Sequence, residues 1–275
     1  MQVQKLSVDA GGRVTGTSPS GQPVQHNSPS WPCRNGDSGG MSVPSGVTGM
    51  LVHTMVGDLQ PGTVAWFNNS ASQASAHFGV SQAGEIWQFG PVNGWKAWHA
   101  ADGNPHWFGC EFADAGNPSN PLTPAQIAAG AQLLELLSRD DVGRFPIQIS
   151  DSPTTEGLGW HGMGGGAFGG HPDCPGDVRK VQRPQIVALA IAIRQGGTVT
   201  PPAVRQWVTA GMSSLEQLAS QQHTTPAVIL ALTAAHSPGG VYPAGVASYL
   251  GGVFGGTISP AKPMPKDLVL YLPSA

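Results

Sequence analysis

Apolar and polar positions along this chain switch between a period of two and a period near 3.6, and the switches mark the elements. Val47-Thr48-Gly49-Met50-Leu51-Val52 is a short apolar run that predicts a buried strand ending at His53-Thr54. Ser75-Ala76-His77-Phe78-Gly79-Val80 predicts a second strand, Gln82-Ala83-Gly84 a turn and Glu85-Ile86-Trp87-Gln88-Phe89 its hairpin partner. Trp107-Phe108-Gly109-Cys110-Glu111-Phe112 and Pro146-Ile147-Gln148-Ile149-Ser150 are further short strands. Between them, residues 61–73 can be helical, with Pro61 near the start and Val64, Ala65 and Phe67 on one face. Thr123 is a natural N-cap with Pro124 at N1, and Ile127, Leu133, Leu134, Leu136 and Leu137 carry an apolar face down to Arg139. A closing helix is expected over 177–195, with Ile186, Val187, Leu189, Ala190 and Ile193 inward and Gly196-Gly197 as its stop. This alternation predicts an α/β fold with a mixed central β-sheet flanked by helices.

Outside that block the pattern weakens. Residues 1–47 are rich in Gly, Ser and Pro, with Val3, Leu6 and Val8 as a short strand before Gly11-Gly12, and read as a surface-hugging N-terminal extension. Pro201-Pro202 falls in a linker over 196–212, and 213–275 reads as a small α+β module. Its helices are expected at 213–219 and at 225–232, where Thr225 caps and Pro226 sits at N1, with a strand at 268–272. A module of that size without a disulfide would be marginal alone.

Composition narrows the function classes. At 275 residues, the apolar share of 40% is ordinary, but only 11% of residues are charged, against a usual share of about 25%. A formal net charge of −3 gives no basic face for nucleic acid. The longest apolar stretch, 187–193, is too short to cross a bilayer, so no membrane partner is expected. Met1-Gln2-Val3-Gln4-Lys5 leads into a polar segment with no apolar core, which argues against a cleaved secretory signal. Three cysteines make no disulfide framework. They allow a Cys33–Cys110 bridge with Cys174 left as a thiolate.

The chemistry concentrates after Gly159-Trp160-His161. A glycine-rich run, Gly162 to Gly170, leads to His171-Pro172-Asp173-Cys174-Pro175-Gly176, so two histidines, an aspartate and a cysteine lie close together with few other side chains. Imidazole and thiolate suit zinc, glycines let backbone fold tightly around an ion, and His53 at a strand end is a candidate for the further ligand such a site needs, the alternative being a glycine loop with incidental histidines. The glycine run lacks the Gly-Lys-Ser/Thr ending of a phosphate-binding loop. Glu111 sits among apolar neighbours, where desolvation raises a carboxyl toward the range of a general base. Trp95 and Trp98 flank Lys96 and suit a carbohydrate or peptide groove as well as a core. Gly36-Asp37-Ser38-Gly39-Gly40 matches the motif around the nucleophile of chymotrypsin-like proteases. Only His26 and Asp9 precede it, with no room for the rest of such an enzyme, so it reads as a glycine-rich turn.

Taken in order, Leu51-Val52-His53-Thr54, Ala74 to Val80, Ala97-Trp98-His99-Ala100, Gly109-Cys110-Glu111 and His161 with Asp173-Cys174-Pro175-Gly176 resemble the zinc-dependent N-acetylmuramoyl-L-alanine amidases. That family includes the peptidoglycan recognition proteins, and the likeness spans residues 48–195. The chain is most similar to endolysins of phages that infect actinobacteria. The resemblance implies Zn2+ held by His53, His161 and Cys174, with Glu111 and His171 as catalytic groups. His77, Trp98 and His99 would lie on the substrate side of the cleft, the histidines as supporting groups rather than ligands. The gap from His161 to Cys174 is longer than the family's usual one, which leaves His171 and Asp173 as alternative ligands. The resemblance also implies a peptidoglycan substrate cut between the lactyl group of N-acetylmuramic acid and L-alanine. It further implies synthesis in the host cytoplasm without a signal peptide and access to the wall through a holin. Residues 213–275 resemble a divergent LysM wall-binding module with a long insert. A non-catalytic peptidoglycan-binding protein and a purely structural zinc site are the rival readings.

Overall fold

A computed structural model of the chain describes residues 4–26, 31–41, 43, 45–196, 204–206 and 269–271. Contacts separate it into residues 3–198 and a second unit of 1–2 with 199–275. In chain order the first unit holds β1 (Ser7–Val8), β2 (Val14–Thr15), β3 (Gln25–His26), β4 (Gly36–Ser38), β5 (Gly49–Met55), α1 (Pro61–Asn68), β6 (Phe78–Val80), β7 (Ile86–Gln88) and β8 (Trp95–Ala97). It continues with β9 (Trp107–Ala113), α2 (Pro124–Leu137), β10 (Gly157–Trp160), α3 (Asp177–Lys180) and α4 (Arg183–Arg194). The second unit holds β11 (Val204–Gln206) and β12 (Val269–Tyr271), which pair antiparallel. β11 lies in the stretch read as a linker, while the helices expected at 213–219 and 225–232 lie outside the described residues.

Six strands form one mixed sheet in the order β10-β5-β9-β6-β7-β3, as the α/β pattern predicts. β10, β5, β9 and β6 run parallel, β7 is antiparallel to β6, and β3 joins β7 in parallel. Alternation sends Leu51 and His53 of β5, with Trp107 and Glu111 of β9, to one face. The opposite face of β9, carrying Phe112, is covered by α2 and α4, which pack on each other. α2 starts as expected: the Thr123 hydroxyl accepts from the Gln126 N–H, the Gln126 side chain accepts from the Thr123 N–H, and Pro124 follows the cap.

Several elements depart from the pattern for local reasons. The helix expected over 61–73 ends at Asn68, because the Asn68 amide bonds the Val64 carbonyl and the Asn69 side chain accepts from the Ala71 N–H. The expected strand at 146–150 is reduced to a single bridge between Ile149 and Leu158, since the Ser150 hydroxyl bonds the Ser152 and Thr155 carbonyls and curls the chain away. The sheet is closed there by β10, whose glycines hide its strand character. Gly157 faces Gly49 so closely that a Cβ on Gly49 would lie 1.9 Å from the Gly157 carbonyl oxygen. The single closing helix is two, because Pro184 has no N–H for the Lys180 carbonyl, which accepts instead from the Arg183 guanidinium.

Residues 4–26 are part of this unit rather than draped over it. Leu6 and Val14 are fully buried, and the amide of Gln132 in α2 donates to the carbonyls of Gln4 and Thr17. Cys33 is buried against Phe89 and Trp95, and Cys110 is a buried free thiol, so the Cys33–Cys110 bridge is not made. No helix among the described residues is long and apolar enough to cross a membrane. Leu6→Ala is expected to destabilise the chain by about 2–4 kcal/mol, as for a buried leucine elsewhere. Urea unfolding followed by circular dichroism reads this, and an unchanged midpoint would return residues 4–26 to the surface.

Candidate active site

The parallel register of β5 and β9 places His53 directly opposite Glu111 on the face away from α2. From β10 the chain turns at His161 into two short 3-10 turns spanning His161–Phe168, with a left-handed kink at Gly165. Its glycines are needed for close approach: a Cβ on Gly164 would lie 2.1 Å from the Phe168 ring, and one on Gly162 would lie 2.6 Å from the Pro172 carbonyl oxygen. Phe168 folds back onto Leu51, Ala100 and Trp107, and the segment returns Cys174 to the end of β5. The Thr54 N–H points at the Cys174 sulfur, 3.4 Å away.

His53, His161 and Cys174 thus offer donor atoms that all lie within 4.8 Å of one another. Hydrogen bonds fix which atoms these are. The carbonyl of Trp107 accepts from Nε2 of His99 at 2.9 Å, so Nδ1 of His99 is an acceptor, and it takes the Nε2–H of His53 at 3.0 Å. The free lone pair of His53 is therefore on Nδ1, which lies 3.9 Å from Cys174 Sγ and 3.9 Å from Glu111 Oε1. The Phe168 carbonyl accepts from Nε2 of His161 at 2.8 Å, leaving Nδ1 of that ring free as well. Histidines oriented through their second nitrogen are the usual arrangement around a metal. Bond lengths to zinc put sulfur and nitrogen donors about 3.6 Å apart in a tetrahedral site. The two-nitrogen, one-sulfur set fits a borderline-soft cation.

Electrostatics agree with this assignment. Burial pushes His53 and His99 well below the ordinary imidazole range, helped by the neighbouring imidazoles, and burial lowers His161 too. All three rings are neutral and ready to donate a lone pair. Burial pushes the Cys174 thiol up to about 12, so its ionisation calls for a cation beside it. Burial likewise raises Glu111 to about 7, against the pull of the Arg179 guanidinium, and its Oε2 is buried without a hydrogen-bond partner. A carboxyl in that condition, next to three convergent donors, has the character of a proton-transfer group.

These residues line a cleft of about 630 Å³ that also includes Trp98, His99 and His171. His171 is exposed, its ring 5.0 Å from that of His161, and it stands outside the donor group. Asp173 faces a different hollow beside Pro118 and Asp177. His77 departs from its expected place: it is fully buried, its Nδ1 accepts from the Gly109 N–H and its Nε2 donates to the Trp95 carbonyl. With both nitrogens spent on backbone it cannot meet a substrate. Its ring packs 5.6 Å from His99, which it supports.

Arg179 was invisible to the sequence pattern. It is fully buried and donates to the Phe112, Ala113 and Asn120 carbonyls at 2.7, 3.0 and 2.9 Å and to the Thr54 hydroxyl at 2.9 Å. One guanidinium thus ties the residues following His53 and Glu111 to the helix following Cys174.

Residues 44–177 match the family described as N-acetylmuramoyl-L-alanine amidase. No curated protein matches the chain. Among solved structures the chain is similar to Staphylococcus aureus hydrolase AmiA in complex with its ligand, at 16% identity and a TM-score of 0.43, covering 64% of this chain and 85% of that one. It is similar to the endolysin N-acetylmuramoyl-L-alanine amidase LysCS from Clostridium intestinale, at 16% identity and a TM-score of 0.42, covering 63% and 95%. A mutant endolysin from Bacillus subtilis follows at 21% identity and a TM-score of 0.38, covering 61% and 99%.

Cys174→Ala is expected to abolish stoichiometric zinc uptake in a dialysed sample, read by competition with a chromogenic chelator. A full equivalent retained would remove Cys174 from the donor set. Arg179→Met takes the guanidinium donors from the Phe112 and Asn120 carbonyls, while the Ala113 carbonyl keeps the Gln82 and Gln126 amides, and is expected to cost about 3 kcal/mol of stability. Unfolding in the presence of chelator measures that loss apart from any metal effect.

Proposed function

We propose that this chain is a peptidoglycan hydrolase that uses Zn2+ to cut the amide between the lactyl group of N-acetylmuramic acid and L-alanine. The observation that carries the reading is the convergence of His53, His161 and Cys174 beside a half-buried Glu111 whose Oε2 has no hydrogen-bond partner. Three ligands suit a catalytic rather than a closed structural site. The family match over residues 44–177 supports the choice of bond. A bound zinc ion would supply Lewis acidity, making a water more acidic and polarising the scissile carbonyl.

The residues of the chain do the rest. Glu111 takes the proton from the attacking water through the oxygen that faces His53, 3.9 Å away. Hydroxide adds to the lactyl carbonyl carbon, the carbon–nitrogen bond breaks, and Glu111 returns its proton to the departing alanine nitrogen. The products are a lactyl carboxylate and a free amine. His171, exposed at the rim, is placed to orient the substrate or the developing oxyanion. The Trp107–His99–His53 relay keeps the ligand ring neutral and correctly turned. Past Glu111 the groove continues between Val56, which is 81% exposed, and Trp66, which is 54% exposed, giving an apolar wall to an extended substrate.

In this reading the chain is a phage endolysin, made in the bacterial cytoplasm and released to the wall to lyse the host. Residues 213–275 serve as its LysM-like wall anchor. The test is a digest of purified peptidoglycan scored for new L-alanine amines and new reducing ends, with chelator and with zinc restored. Amines without reducing ends, abolished by chelation and restored by zinc, are expected. Tight sedimentation with the wall and no release would make the chain a non-catalytic binder. Glu111→Gln is expected to keep zinc while lowering kcat by about 10²–10⁴-fold, and undiminished activity would remove Glu111 from the chemistry.

A further inference from the structure

The Gly36-Asp37-Ser38-Gly39-Gly40 stretch has a place that neither a protease motif nor a plain turn explains. Residues 36–38 are strand β4, paired antiparallel with β8 in the register Gly36 to Ala97, Asp37 to Lys96 and Ser38 to Trp95. The glycines make that pairing possible. A Cβ on Gly36 would lie 2.4 Å from the Trp95 ring, and one on Gly40 would lie 2.8 Å from the Lys96 Cβ. The side chain between them does something specific. Asp37 Oδ2 accepts from the indole Nε1–H of Trp98 at 3.0 Å and from Lys96 Nζ at 2.9 Å. Those two donors hold its carboxyl below the usual carboxylate range, so it stays ionised.

Two residues earlier, Asn35 is almost fully buried, and its amide donates to the carbonyls of Asn69 and Ala74 and to the Ser72 hydroxyl. The loop it grips ends in Gln73, Ala74 and Ser75, all on the rim of the cleft. Ser75 in turn locks the Trp98 backbone, its hydroxyl accepting from the Trp98 N–H at 2.8 Å and its own N–H donating to the Trp98 carbonyl at 2.9 Å. Trp98 lines the cleft. Asn35 and Asp37 therefore reach the same wall from behind, one through the 73–75 rim and the other through the indole. Both lie outside the residues that match the amidase family.

We propose that residues 35–37 brace one wall of the substrate cleft, with Asn35 and Asp37 as positioning residues that set the Trp98 indole and the 73–75 rim for substrate binding. The N-terminal segment is thereby part of the binding site. The inference rests on the peptidoglycan amidase reading for its substrate, though not for its geometry.

The experiment uses the full zinc-loaded chain and a soluble N-acetylmuramoyl-L-alanyl peptide. Asp37→Ala is expected to raise KM about fivefold, the effect of losing one charge-assisted hydrogen bond, with kcat within about twofold of the parent. Asp37→Asn, which keeps an oxygen for the indole, is expected to restore most of the affinity. Lys96→Met, which leaves the indole bond in place, is expected to change neither constant. In parallel, the chain labelled with 5-fluorotryptophan gives a Trp98 resonance identified by its loss in Trp98→Phe. That resonance is expected to shift or broaden in Asp37→Ala and not in Lys96→Met. An unchanged KM and an unmoved resonance in Asp37→Ala would overturn the brace. A parent chain that cleaves nothing would overturn the amidase reading instead, with the fluorine resonance still deciding the brace.

Discussion

The parallel pairing of β5 with β9 sets His53 opposite Glu111, and the polar groups of the cleft are arranged around that pair. Side chains alternate along a strand, so a slip of one residue in this register would send one of the two to the face covered by α2 and α4. The close contact of Gly49 with Gly157 on one side of β5, and the match of Phe78 to Cys110 on the far side of β9, hold the two strands in place from both directions. The site is built on central strands of the sheet, where the backbone is least free to move.

Around the pair, backbone carbonyls do the orienting. Trp107 and Phe168 each accept from a histidine Nε2, and the consequence is carried through His99 to His53 in one case and directly to His161 in the other. Gly109 makes the first relay possible, since a Cβ there would lie 2.6 Å from the His99 ring. Its N–H is also the donor that fixes His77 beneath His99. Four histidines that could have competed as ligands are thus sorted by burial and hydrogen bonding into two donors, His53 and His161, and two supports, His99 and His77.

Charge is handled with equal economy. Arg179 is one of only 13 lysines and arginines in the chain, yet it is placed under the site with every described contact to a neutral oxygen. Asp114, Cys174 and Glu111 are the anionic or ionisable groups whose fields it feels. A guanidinium is suited to this because its fork of donors can satisfy several carbonyls at once. It joins the ends of two strands to the segment carrying Cys174.

Much of this protein is written locally. The apolar runs of β5 and β9, the hairpin of β6 and β7, and the capping box of α2 follow from side-chain period and cap chemistry, which act over a few residues. The donor set and Glu111 were legible for a related reason: histidine, cysteine and a carboxylate in apolar surroundings are chemically conspicuous wherever they fall. What only the tertiary structure decided depends on long-range proximity. β10 is half glycine and is a strand because β5 lies beside it, while the 146–150 run has strand-like residues and keeps only the one bridge from Ile149 to Leu158. His77 and His99 look alike in sequence and are separated by which carbonyls and N–H groups surround them. Asp37 gains its meaning from Trp98, 61 positions away, and Arg179 from Thr54, 125 positions away. No periodicity reaches across such distances, because a hydrogen bond is set by position in space and the chain brings those positions together only when the sheet has formed.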